Sequence, residues 1–244
     1  MRRRLVLRPA TATHPGLVRP NNEDSAYAGA RLVALADGVG GEVAGEVASA
    51  LAIEALRAAE AAADPVAGLR AALADANTRI AAATADDPGL AGMGTTATAI
   101  LCRGRHAALG HVGDSRAYRL RDGDLAQLTR DDTYVQQLVE EGRITAEQAR
   151  VHPQRSMVTN VLQGVPAEVA VTGFRPHPGD RYLLCSDGLP DAVPDADIAE
   201  ALRANADPAA CADRLISLAL AAGGPDNVTV IVADVTTTHR HWFR

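Results

Sequence analysis

The 244-residue sequence predicts an α+β domain of antiparallel sheets covered by helices. Two observations carry that reading. Helix-like and strand-like runs are grouped, where parallel βαβ units would alternate regularly. The strand-like runs form a meander, and the Asp122–Gly123 turn between two of them is a strong hairpin signal. The chain shows neither an internal repeat nor a long linker, so it reads as one continuous domain.

The elements follow in order. Residues 5–12 form a first strand, and 13–24, THPGLVRPNNED, are turn-rich and then acidic. SAYAGARLVALAD suggests a pair of strands around Gly29. GEVASALAIEALRAAEAAA, rich in good helix formers, predicts a long helix. Asp64–Pro65 gives a cap and a first helical position for a second one. Strand signals then dominate: TTATAILC at 95–102, HAALGHV and SRAYRLR flanking Gly113–Asp114, and DLAQLT after the hairpin turn. Residues 131–163 change character. They hold polar helical material, DDTYVQQLVEEG, a capping box from Thr145 to Gln148, and the loop HPQRS. This region reads as an insertion near an edge or site. Strands return at VAVTGF and RYLLCS. Asp207–Pro208 opens a last helix, PDNVTVIVADV closes the domain, and the tail HRHWFR has no clear pattern.

Composition narrows the function classes. Hydrophobic residues make up 47% and charged residues 22%, as in a soluble globular protein, and with only 3% aromatics Ala, Val and Leu must fill the core. The formal net charge of −6 argues against nucleic acid, which needs a basic face. Cys102, Cys185 and Cys211 lack close metal-ligand spacing and read as buried apolar residues in a reducing compartment. The N-terminal arginines precede an apolar run too short for a signal peptide, and no stretch approaches a membrane span. The expectation is a cytoplasmic protein with no membrane segment in this chain.

Carboxylates recur in one setting. Asp37 ends LVALA, Asp114 follows HVG, Asp187 follows RYLLCS, and Asp226 precedes NVTVIVADV after GGP, each with glycine close by and at the lip of an apolar strand. A single such Asp is commonly a turn or cap. Four suggest a shared cation site, and hard divalent ions take oxygen ligands. DGVGG at 37–41 fits a phosphate, a metal ion or a tight turn. Arg19, in RPNNED, could hold phosphate through its planar fork or serve as a surface ion-pair residue. Neither a GxxxxGK[ST] loop nor a GxSxG elbow is present.

The ordered set RPNNED, ALADGVGG, GMGTTATA, GHVGDSRAYRLRDG, LLCSDGL and GGPDNVTVIVA resembles the metal-dependent PPM, or PP2C-type, protein Ser/Thr phosphatases, and especially the catalytic domains of actinobacterial kinase-antagonising members. The motifs span residues 13–235. The resemblance implies a central antiparallel β-sandwich flanked by helices, a phosphatase domain over 5–236 with a flap at about 131–163, and a short tail at 237–244. It implies that Asp37 bridges two catalytic Mn²⁺ or Mg²⁺ ions and that Gly38 ligates through its carbonyl at the tip of a turn. Asp187 and Asp226 would complete the first metal site, and Asp114 with Asp187 would support a third ion. Arg19 would hold the substrate phosphate, Glu23 would reach the second ion through water, and Asp24 would support them.

The implied function is hydrolysis of phosphoserine and phosphothreonine in proteins by a metal-activated water, opposing Ser/Thr protein kinases. Implied partners are phosphorylated proteins, including such kinases and their substrates. Two departures stand out. Val39 occupies a position where many eukaryotic relatives carry histidine, which leaves the general acid unassigned. His14 stands where close bacterial relatives often have Asp. Rival readings are a phosphoprotein-binding module on the same fold, a phosphatase of anti-sigma-factor antagonists, and a two-metal nuclease.

Overall fold

The computed structural model describes residues 4–40 and 44–238. Two antiparallel sheets lie face to face. One has the order β1-β11-β10-β7-β8, from β1 (Arg4–His14), β7 (Arg116–Arg121), β8 (Asp124–Gln127), β10 (Arg181–Cys185) and β11 (Val228–Thr238). The other has the order β2-β3-β5-β6-β9, from β2 (Asp24–Ala28), β3 (Leu32–Val39), β5 (Ala97–Arg103), β6 (His106–Val112) and β9 (Ala170–Phe174), with the two-residue β4 (Gly94–Thr95) against the end of β3. Helices α1 (Ala44–Ala58) and α2 (Pro65–Asp86) pack on this second sheet. Helices α5 (Asp195–Ala204) and α6 (Pro208–Ala221) pack on the first.

Alternation along each central strand produces the layers. Leu32, Ala34 and Ala36 of β3 face α1 and α2, while Val33 and Leu35 enter the space between the sheets. In β11, Val228, Val230 and Val232 face the helices, and Ile231, Ala233 and Val235 face the other sheet. β10 divides likewise, with Leu183 and Cys185 outward and Tyr182 and Leu184 inward. Strands buried on both faces must be predominantly apolar, which is why LVALA, YLLC and VIVA show no polar alternation. All three cysteines are buried and unpaired, as the sequence suggested.

The sequence reading is extended and corrected in several places. β1 runs to His14, because it pairs with β11 along its whole length. The run 95–102 is two strands broken at Thr96. The second and last helices start at Asp64 and Asp207, whose carboxylates accept backbone N–H groups as expected, and the Thr145–Gln148 capping box is formed. α5 stands out little from the sequence around it. Its signal is weak, because Pro194 at the cap supplies no side-chain acceptor. Residues 131–163 carry α3 (Tyr134–Glu140) and α4 (Ala146–Arg150) outside both sheets. Gly41 and the tail HRHWFR lie outside the described residues, and so do the first three residues.

Candidate metal centre

The predicted residues meet at one end of the sandwich. Asp37 and Gly38 come from β3, Asp187 follows β10, Asp226 precedes β11, and Asp114 lies in the β6–β7 turn. Arg19, Glu23, Asp37, Gly38, Asp114, Asp187 and Asp226 all line a hollow of about 350 Å³. Asp24 stands behind it, paired in register with Asp37. Its Oδ2 accepts the Ser186 hydroxyl at 2.8 Å, and that oxygen in turn accepts the Thr229 N–H at 2.9 Å. Asp24 therefore ties the β2–β3 edge to the β10–β11 end.

Gly38 is not at the tip of a turn. It lies inside β3, opposite Thr95 of β4. A Cβ on Gly38 would collide with the carbonyl of Gly45, so glycine is required where the first turn of α1 crosses the strand. The Gly38 N–H donates to the Glu23 carbonyl at 3.2 Å, which draws the RPNNED loop onto the same strand end.

Among the described residues that line the hollow, Arg19 alone is basic. Its Nη2 donates to Asp226 Oδ2 at 2.8 Å, and its side chain is 56% exposed, so it can reorient toward a ligand. The carboxylates have little other compensation. Burial, then repulsion from Asp24, Asp187, Asp114 and Asp226, pushes Asp37 well above the usual carboxylate range. Burial and then Asp114, Asp191 and Asp226 do the same to Asp187. Asp114 is pushed up to about 7, chiefly by burial and then by Asp131. Asp24 is pushed up to about 6 by burial, although hydrogen bonds from Thr229 and Ser186 pull it down. Its Oδ1 is buried without a hydrogen-bond partner.

Among the described residues no three His, Cys, Asp or Glu side chains form a ready coordination sphere; these carboxylates surround a hollow. The hollow is large enough to hold several waters. Carboxylate oxygens as the anionic ligands on offer, no lining His or Cys, and buried carboxylates with little compensation fit hydrated hard divalent cations.

Four further residues build the site without a local sequence signal: Thr96, Asn227, Ser156 and Val158. Thr96 Oγ1 accepts the Asp37 N–H at 3.0 Å and bonds Ser115 at 2.8 Å. Asn227 Oδ1 accepts the Glu23 N–H, while its Nδ2 donates to the carbonyls of Pro15 and Asn21, fixing the loop that bears Arg19. Ser156 and Val158, from the flap, line the hollow. A second hollow, of about 300 Å³, lies under α3 and α4 and shares Asp114, Asp187 and Ser156 with the first. His14 Nδ1 accepts the Gly16 N–H, so its effect is on the turn leading to Arg19.

The family profile for protein phosphatase 2C matches residues 21–217. The chain belongs to this family. Over 234 residues it is 57% identical to the serine/threonine protein phosphatase PstP of Mycobacterium tuberculosis, covering 95% of this chain and 45% of that protein. The chain thus spans just under half the length of that curated relative. A serine/threonine phosphatase of Listeria monocytogenes is 34% identical over 242 residues, covering 93% of this chain and 96% of the relative. The crystal structure of the PstP catalytic domain, in complex with two manganese ions, superposes with a TM-score of 0.90 at 55% identity, covering 95% of this chain and 99% of that one. The expected PP2C-like α+β architecture is therefore the observed one. Among the described residues no helix is long and apolar enough to cross a membrane.

Proposed function

We propose that this PP2C-family chain hydrolyses phosphoserine and phosphothreonine in proteins and opposes Ser/Thr protein kinases, acting on the kinases themselves and on their substrates in the cytoplasm. The observation that carries the reading is the single hollow whose lining Asp37, Asp114, Asp187 and Asp226 share with Arg19.

Asp37, the Gly38 carbonyl, Asp187 and Asp226 would hold two Mn²⁺ or Mg²⁺ ions, with Glu23 acting through water and Asp24 supporting Asp37. Asp114 and Asp187 would hold a third ion at the wall between the two hollows. Bound ions would supply Lewis acidity toward phosphoryl oxygens and would lower the pKa of the attacking water. The chain does the rest. Arg19 exchanges Asp226 for phosphate oxygens and holds them through its planar fork. Asp24, held by the Ser186 hydroxyl that the Thr229 N–H in turn positions, stands behind Asp37 in the strand register and supports it. Asn227 holds the Arg19 loop against the start of β11. Val39 can donate no proton, so the proton for the leaving serine or threonine oxygen comes from a group other than residue 39.

The test is phosphate release from phosphothreonine and phosphoserine peptides with Mn²⁺ or Mg²⁺ added, and again after chelation. Turnover that needs metal is expected. Turnover unaffected by chelation, or binding of phosphopeptide without release, would contradict the proposal, and the latter would favour a phosphoprotein-binding module.

A further inference from the structure

The flap leaves the sandwich beside Asp114 and returns next to its own point of departure. Thr133 bridges Val158 there, and the Tyr134 N–H donates to the Met157 carbonyl at 2.9 Å. Asp132 occupies this crossing. Its Oδ2 accepts the Gly113 N–H at 3.0 Å and the Asn160 Nδ2–H at 2.8 Å. Its own N–H donates to the Gly113 carbonyl at 2.8 Å, and its carbonyl accepts the Thr159 N–H at 2.7 Å and the Thr159 hydroxyl at 3.0 Å. One residue thus joins the outgoing flap strand, the returning strand and the turn that presents Asp114.

Both partners are fixed from behind. Asn160 is oriented by Glu168, whose carbonyl accepts from Nδ2 at 2.7 Å and whose N–H donates to Oδ1 at 3.2 Å. Its amide cannot turn over without losing both bonds. Gly113 has φ +103, and a Cβ there would come within 2.6 Å of the Thr96 side chain, so the turn is packed against the residue that holds the Asp37 N–H. The adjacent Arg130 is anchored too. Its guanidinium pairs with Glu140 of α3 at 2.5 and 2.6 Å, and His111 Nε2 donates to its carbonyl at 2.9 Å.

We propose that Asp132 and Asn160 form a clasp that holds the flap, and with it Ser156, against the Asp114 turn, making both positioning residues for phosphoprotein turnover. The proposal rests on the phosphatase reading of the same site. Ser156 and Val158 bring the flap to the rim of the first hollow, so a phosphoprotein, too large for the hollow, would rest on the flap surface beyond it, whereas a small aryl phosphate would touch little of the flap. Loosening the clasp therefore discriminates between the two substrates. Asn160→Ala removes the tie. Asn160→Asp sets a second carboxylate against Asp132 and against the Glu168 carbonyl, which pushes the returning strand away.

The experiment compares wild type, Asn160→Ala and Asn160→Asp on a phosphothreonine peptide and on p-nitrophenyl phosphate at saturating Mn²⁺. Trypsin cleavage after the exposed Arg150 and Arg155 and the thermal midpoint are followed alongside. For Asn160→Asp, kcat/KM on the peptide should fall about tenfold, while aryl phosphate turnover stays within about twofold. Cleavage in the flap should accelerate with little change in the midpoint, and Asn160→Ala should show the same signs more weakly. An equal fall for both substrates, or unchanged peptide kinetics with unchanged cleavage, would overturn the clasp. If Asn160→Asp does not fold, Asn160→Ala decides by the same criteria. A wild-type protein inactive on both substrates would contradict the phosphatase reading instead, and the proteolysis comparison would still decide the clasp.

Discussion

Arg19 and Asp226 hold each other across the mouth of the hollow at 2.8 Å, and the exposure of Arg19 leaves it free to trade that partner for phosphate. A charge-assisted hydrogen bond contributes about 1.5–3 kcal/mol, so Arg19→Ala should lower kcat/KM on a phosphothreonine peptide about 10- to 100-fold. Arg19→Lys should recover only part, because a point charge does not reproduce the fork. Steady-state kinetics at saturating metal check this, and unchanged constants in Arg19→Ala would make it a solvated loop residue. Asp114 stands apart from the β3 and β10 ligand set, on the wall shared by the two hollows. Asp114→Ala should keep two tightly bound Mn²⁺ ions and lower turnover; a metal-bound crystal of the variant with a third ion still in place would refute its role. The strand-end aspartates were legible because each abuts an apolar run whose direction fixes the carboxylate. Thr96, Ser156 and Asn227 were not, since a hydroxyl or amide takes its role from packing partners remote in sequence.

At the scale of elements, the sequence revealed the major strands and the capped helices, because Asp–Pro starts and apolar runs are local signals. It placed Gly38 wrongly, because the reason for glycine there is α1 crossing β3, a contact that no local pattern encodes. It missed the extension of β1 to His14 for the same reason, since that extension depends on β11. Gly38→Ala tests this packing. The new methyl meets backbone that cannot swing aside, so the substitution should destabilise the fold by about 3 kcal/mol, as overpacking of a tight site does. Denaturant unfolding without metal measures it. A loss under about 0.5 kcal/mol, the ordinary range for surface changes, would show that α1 yields readily.

Across the whole molecule, the helix-covered sandwich brings carboxylates from both sheets to one end at an electrostatic cost that metal would relieve. Asp24 is pushed up to about 6 and Asp114 to about 7, while unfolded aspartates titrate near 4. Between about pH 4 and pH 7 the folded chain retains protons that the unfolded chain has lost. These groups therefore leave stability intact below about 4 and subtract from it as pH rises through the folded values. The metal-free protein should lose thermal midpoint from pH 5 to pH 8 by this contribution. Mn²⁺ at about 100 times its Kd should restore about 2.7 kcal/mol at the upper end. Calorimetry with and without chelator checks both; an unchanged midpoint on adding Mn²⁺ at pH 8 would mean the carboxylates do not bind the ion.

The central claim is that Asp37, from the end of β3, makes this hollow a metal-dependent catalyst. The most direct measurement is Mn²⁺ titration by calorimetry and phosphothreonine-peptide turnover on the same preparations of wild type and Asp37→Asn. The substitution should weaken Mn²⁺ binding and lower turnover at least about a hundredfold, with the fold retained by circular dichroism. Near-normal turnover with unchanged Mn²⁺ binding in Asp37→Asn would contradict the account.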